Sequence, residues 1–495
     1  MKKYNAFLSL LLCAAMLASC SGGRETEAPD IAQDTAPSPT DGGAAEDAGE
    51  TEAPETVPQR VSDSLPEGLD LGGVSTVFFT NPYTPFACNL VEDFTGEMLN
   101  DARYNTEITV EERLNADISE ILGETSPYDF NAQVRNLIKS GDRNYSFMTN
   151  EDYIMMGQIQ EGSFYALSDV PYLDMEAPYW LPEATGLYNI GGKIWYAFCP
   201  LNLYANQNTA ILVMNLDLAE NMGMEAQYDA VREGTWTFDR FMSLAEAGYS
   251  DLNNNGRDGK DQWGLVVDMP VKNVWCSVLV ACGCEQEIIT KDEENYLIYG
   301  YSEELLDCLA LSYDLFHSFA LDSDAMPGFF KGHALFAMTK FDMLTTQYRE
   351  VDFNFGVLPL PKYTEEQSRY YSRTYDACCP VIPITCPDAE TAGAVLEALT
   401  CEAYNTSLPA YIENGLQNKY VRDEDSSEMV GIILQSQTVL VPEIMLFDQY
   451  GNSSFHSKFI EKNEMTAASA LQSLKNITQV KIRKLNEKYA KLAGN

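Results

Sequence analysis

The chain has 495 residues, 45% of them hydrophobic, and sets 32 basic against 74 acidic side chains, a net charge of −42 at neutral pH. That balance argues against nucleic acid, whose phosphates demand clustered Lys and Arg, and against adhesion to anionic lipid surfaces. Only 3 histidines leave little room for His-based catalysis, while carboxylate chemistry stays open.

The first segment, MKKYNAFLSLLLCAAMLASC, has two lysines, then an apolar run from Ala6 to Ala18. The run is shorter than the roughly 20 apolar residues a membrane-spanning helix needs, and it has the layout of a secretory signal. Leu17-Ala18-Ser19-Cys20 resembles the lipobox of bacterial lipoproteins. That resemblance implies cleavage before Cys20, lipidation of its sulfur and a membrane anchor; the alternative is an ordinary signal peptide with a chance cysteine. Arg24 to Thr56 is acidic, rich in Ala, Pro, Gly and Thr, and nearly devoid of large apolar residues. It cannot bury enough surface to offset its ordering entropy and reads as a tether. The remaining roughly 430 residues exceed what one core usually supports, so two lobes are expected. No later run has the length of a spanning helix; AILVMNLDLA is short and holds Asp217.

VSTVFFT at 74–80 reads as a buried strand, ADISEI as a second, and YSFMT at 145–149 as a third. Between them FNAQVRNLIKSG has a helical apolar stripe and a Gly stop. Strands alternating with helices predict a parallel sheet covered on both faces, with ligand beyond the carboxyl ends of the strands. NPY at 81–83 and NED at 150–152 stand at those ends. GGKIWYAFCP and AILVMNLDL then bracket the polar loop LNLYANQNT. Thr237 is suited to cap a helix that places Phe238, Phe241, Met242 and Ala245 on one face. The C-terminal stretch predicts a long helix with Leu471, Leu474, Leu485, Tyr489 and Leu492 as its stripe and a basic end matched to the helix dipole.

Gly192-Lys193 before a strand, Trp236-Thr237 opening a helix, a loop ending in Asp261-x-x-Gly264, and Gly332-x-Ala334 before Gly356-Val357-x-Pro359-x-Pro361 recur in an order similar to the family 1 extracellular solute-binding proteins of ABC importers, carbohydrate-binding branch. The likeness runs from about residue 70 to the C-terminus. Two features depart from the family: a long crossover at 199–209, and TKFDM where Gly-x-Trp is frequent. The resemblance implies an α/β, two-lobed, type II periplasmic-binding-protein-like fold with hinge strands and a ligand cleft between the lobes. Its division of this chain would be a signal peptide at 1–19, lipidated Cys20 and tether at 20–65, a first lobe from 66–200 and 353–405, and a second lobe from 201–352 and 406–495. Crossovers would fall near 198–210 and 351–360, with a return to the second lobe near 405. The function implied is capture of a sugar or oligosaccharide by an anchored monomer on the extracytoplasmic face, for delivery to ABC permease subunits. The same fold serving a peptide or polyamine, and a surface glycoside hydrolase needing only two carboxylates, are the alternatives. No Walker loop, HExxH or GxSxG is present, so the reading is not that of an enzyme.

Sugars offer C–H patches to aromatic rings and hydroxyls to planar polar groups. The ligand-binding candidates are accordingly Trp275 and Asp268 after WGLVVD, Lys340 and Asp342 after ALFAMT, Tyr375 and Asp376 before CCPVIPI, Tyr83, Asn150 and Glu151 in the first lobe, and Tyr204 in the crossover. In DLNNNGRDGKDQWG, Asp251, Asn253, Asn255 and Gly256 match the start of a calcium loop. Gln262 stands where the bidentate Glu belongs, with Asp261 as a partial substitute for a structural Ca2+; the alternative is an Asx-rich turn. Of 12 cysteines, ten remain after Cys13 and Cys20; Cys282-Gly283-Cys284 and Cys378-Cys379 lack the spacing of usual zinc pairs, so no other cofactor is expected.

Overall fold

The computed structural model describes residues 60–84, 86–267, 271–318, 329–413, 424–450, 455, 459 and 465–494. Cys20 with residues up to 59, and Asp268, lie outside them. Residues 60–65, expected to belong to the tether, instead pack on the folded chain: Leu65 is buried and the Val61 amide donates to Asn405 Oδ1 at 2.9 Å. Among the described residues no helix is long and apolar enough to cross a membrane.

The chain opens with β1 (Val74–Thr80), α1 (Met98–Leu114), β2 (Ala116–Leu122), α2 (Pro127–Ser140), β3 (Phe147–Glu151) and α3 (Asp152–Ile159). The short helix α4 (Tyr204–Gln207) leads to β4 (Ala210–Asn215), then α5 (Phe238–Ala247), β5 (Trp263–Val267), α6 (Val271–Ala281), α7 (Glu303–Ser318), β6 (Ala334–Lys340) and β7 (Phe355–Leu358). After β8 (Ser372–Arg373) and β9 (Cys378–Val381) come α8 (Ala389–Asn405), α9 (Glu424–Gln435), β10 (Gln437–Thr438) and α10 (Ala467–Leu492).

Two four-stranded sheets organise these elements, in the orders β9-β3-β1-β2 and β7-β4-β6-β5. In the first, β1 pairs in parallel with β2 and β3, as the strand–helix alternation predicts, and β9 closes the edge antiparallel to β3. The second departs from a purely parallel sheet, because β4 runs antiparallel to both β6 and β7. Since β7 belongs to the second sheet, the return to the first comes after Leu358, not at 353. The turn-rich run at 351–360, expected to be the hinge, is the approach to β7 and the strand itself; the crossing lies in 359–377.

Local sequence accounts for several boundaries. Ser126 caps α2, with its side chain accepting from the Asp129 amide, and Gly141 ends it at φ 72°, a conformation that costs glycine little. α5 does start after Thr237, but that side chain makes no cap hydrogen bond. The chain there is held by its backbone, the Phe238 amide donating to the Lys362 carbonyl at 2.9 Å. Gly264 explains its motif: a Cβ there would stand 1.5 Å from the Ala245 carbonyl oxygen, so only glycine lets α5 lie against β5. The long C-terminal helix is present, with Leu471, Leu485 and Tyr489 buried. α8 carries Glu397, a fully buried carboxylate that accepts from the Tyr179 hydroxyl at 2.6 Å and the Trp180 indole at 2.9 Å, tying α8 to the segment before the crossover.

On α1, burial and the neighbouring carboxylates of Glu111 and Glu120 push Glu107 from 4.5 up to about 7. Its folded-state value lies above the unfolded one. No penalty exists below pH 4.5; it grows between 4.5 and about 7, where the unfolded chain sheds the proton that the folded chain holds. Glu107→Gln should therefore raise stability above pH 7 by about 1–2 kcal/mol, after solvent screening of a half-exposed site, and leave it unchanged at pH 4. Denaturant melts at the two pH values measure this; an equal effect at both contradicts the assignment.

Candidate functional site

The two sheets are joined by chain crossings at 199–209, 359–377 and 436–440, and these crossings meet. The Tyr375 amide donates to the Asn208 carbonyl at 3.0 Å, Thr209 bridges Thr374, and the Gln437 side-chain amide donates to the Thr209 hydroxyl at 2.7 Å. Beneath them is a buried polar platform. Asn89 donates to Thr80, Thr149 and Glu120 at 2.9–3.0 Å, and Asn202 donates to Asn89 at 3.2 Å and to the Cys378 carbonyl at 3.1 Å. Every polar atom satisfied in this way fixes the crossing where it stands, because breaking any link leaves a buried group unpaired.

On this platform sits α4, which opens at Tyr204. Its hydroxyl donates to Glu151 Oε1 at 3.1 Å, at the end of β3, and its ring meets Tyr83 edge-on with centroids 6.4 Å apart. Tyr83 is 56% exposed and Tyr204 only 5%, so the first offers a free face while the second forms the wall behind it. Burial, then Glu151 and Asp376, holds the Tyr204 hydroxyl far above its ordinary range, so it stays a proton donor. Burial, then Glu151, does the same for Tyr153. Asp376 adopts φ 49°, the left-handed conformation that Asp tolerates at a turn. From the other sheet, the Lys340 ammonium donates to Asn208 Oδ1 at 2.9 Å and pairs with Asp342 at 3.0 Å. Burial raises Asp342 and Lys340 opposes the rise. One continuous set of contacts thus runs from Tyr83 and Glu151 through the crossover to Lys340 and Asp342.

Of the residues singled out from sequence, Tyr83, Glu151, Tyr204, Asp376, Lys340 and Asp342 are brought together. Three are not. Trp275 does not stand in a loop after β5: it is inside α6, fully buried, with its ring 5.2 Å from that of Phe455. Tyr375 is buried, its hydroxyl 2.8 Å from Ser277 Oγ and its ring 3.8 Å under the Arg373 guanidinium. Asn150 turns its side-chain amide to the Pro127 carbonyl at 3.0 Å, on the opposite face of β3 from Glu151. Sequence reasoning missed Asn202, Asn208 and Tyr153. The first two lie in the run LNLYANQN, where Asn202, Asn206, Gln207 and Asn208 are all buried. Amide side chains flanked by apolar strands were the signal.

The calcium candidates form a self-satisfied turn. Asp251 accepts from the Asn253 and Gly256 amides, Asp261 from Leu252, Asp258 and the Tyr249 hydroxyl, and the side-chain amides of Asn253 and Asn255 both donate to Asp258. Their oxygens serve the loop's own N–H groups, as an Asx-rich turn requires. The cysteines are free thiols among the described residues.

No family model matches the chain, and no curated protein matches it. Solved structures do match. A sugar transporter from Rhizobium etli in an open conformation superimposes with a TM-score of 0.56 at 12% identity, over 83% of this chain and 99% of that one. The sugar-binding protein MalE from Xanthomonas citri gives 0.55 at 12%, over 83% and 98%. A family 1 extracellular solute-binding protein from Bifidobacterium longum subsp. infantis gives 0.50 at 14%, over 85% and 100%. Such identities establish the fold alone, and it is the two-lobed type II periplasmic-binding-protein-like fold.

Proposed function

We propose that the chain is an extracytoplasmic solute-binding protein that captures a sugar or oligosaccharide and hands it to an ABC permease, held to the membrane by lipid on Cys20. The reading rests on one observation above all: an exposed tyrosine face, Tyr83, stands beside Tyr204, Glu151 and Asp376 where the chain passes between its two sheets. An aromatic face takes the C–H side of a pyranose, and carboxylates beside it accept hydroxyl protons. Lys340 and Asp342 supply a donor and acceptors from the side of the other sheet, and Asn208 joins them from the crossover. A ligand touching both sets is bound best when they approach, so ligand shifts the population towards closure. The names of the fold neighbours, sugar-binding and transport proteins, favour this over an enzyme.

Thermal-shift screening against neutral and acidic oligosaccharides tests the reading, since a ligand that binds only the folded chain raises its melting temperature by mass action. A dose-dependent rise with at least one sugar is expected. A panel that moves nothing, while a peptide or polyamine does, contradicts it. The anchor has its own arm in the same study: Cys20→Ala should release the protein from membranes, and unchanged membrane association removes the anchor.

A further inference from the structure

A groove of about 640 Å³ lies between α2, α3, the segment around 444–447 and α10. Its charged lining residues are Arg135, Lys481, Lys484 and Lys488, all cationic, in a chain whose acids outnumber its bases 74 to 32. Spacings of three and four put the lysines on one face of α10. Glu487, the acid in the same turn, pairs instead with Arg483 at 3.9 Å and lines a different surface hollow. Arg135 is shared with Glu161 at 3.3 Å, whereas the three lysines make no ion pair among the described residues. The groove floor is apolar, with Leu446 and Leu485. At its end Tyr153 stacks on Phe447, centroids 4.1 Å apart and planes 21° from parallel. The Tyr153 hydroxyl donates to that of Tyr128, another lining residue, at 3.4 Å, and Tyr153 follows two residues after Glu151 at the end of β3.

We infer that this groove takes the acidic groups of the captured ligand, which makes that ligand an anionic oligosaccharide bearing carboxylate or sulfate groups; the inference rests on the sugar-binding reading. A ring seated by Tyr83 and Tyr204 leads along Tyr153 and Phe447 to the lysine face. A neutral sugar gains nothing from three unpaired ammonium groups there. An acidic one gains an ion pair at each, in a place partly shielded by apolar walls, and the gain is screened by salt.

The test is calorimetric titration of the protein and of the triple variant K481Q/K484Q/K488Q with oligogalacturonates, chondroitin disaccharides and neutral malto- and cello-oligosaccharides. These lysines are exposed or half-buried on a helix surface, so the variant keeps its fold, which its melting curve verifies. In low salt the acidic ligand should bind the variant about ten-fold more weakly or worse, the gap should shrink at high salt, and binding of any neutral sugar should be unaffected. Neutral sugars that bind while acidic ones do not, or a variant that holds acidic sugars as the parent does, overturns the groove assignment and leaves the sugar reading standing. Binding of neither class overturns both.

Discussion

Trp275→Ala is expected to cost about 3–5 kcal/mol of stability, the usual range when a fully buried large aromatic is truncated. The indole has no exposed surface, and α6 around it is buried at Val274, Cys276, Val278, Leu279 and Val280. Its ring packs on that of Phe455, and it stands two residues before Ser277, which holds the Tyr375 hydroxyl under Arg373. Truncation leaves a cavity that a helix packed all round cannot collapse to fill. Chemical denaturation of parent and variant gives the number. A variant with an unchanged melt and lost sugar affinity would instead put the indole in the ligand site.

Tyr83→Ala should act in the opposite way. Its ring is mostly in solvent, so the melting temperature should stay within the small range of surface substitutions. Ligand affinity should fall by about ten-fold or more, about 1.4 kcal/mol, because the stacking face is gone. Glu151→Gln removes the carboxylate that accepts from Tyr204 and faces the crevice, and a loss of similar size is expected. The pair is informative together: Tyr83 tests stacking and Glu151 tests hydrogen bonding. Calorimetric titration of both variants, with melting curves as controls, measures the effects. Affinities equal to the parent would move the site elsewhere.

Much of the scaffold was legible in the sequence, for physical reasons that apply element by element. VSTVFFT is β-branched and aromatic and bounded by turn residues, so β1 and its parallel partners followed from composition. α2 and α10 carried caps and stripes that local interactions alone can read. The hinge was misplaced because FGVLPLP joins a strand to a proline-rich turn, and nothing local tells which sheet such a strand will join. That choice is made by β4, more than a hundred residues earlier in the chain. Trp275 was misassigned for a related reason: WGLVVD ends a strand, but α6 begins almost at once, leaving little loop to carry a ligand residue. Tyr83, Glu151 and Tyr204 were singled out because strand ends and a polar crossover are the places where this architecture gathers side chains from separate elements, although of the three only Tyr83 is exposed. Asn202 and Asn208 were not, since burial of an Asn-rich run depends on the three crossings meeting around it.

The most direct measurement is a crystal structure of the protein with the oligosaccharide that gives the largest thermal shift. A sugar ring within about 4 Å of Tyr83, the contact distance of packed atoms, with a hydroxyl hydrogen-bonded to Glu151 and further contacts to the side of Lys340 and Asp342, is the result expected. Sugar bound with both Tyr83 and Glu151 untouched, or found only on the outer surface of one sheet's helices, would contradict the account.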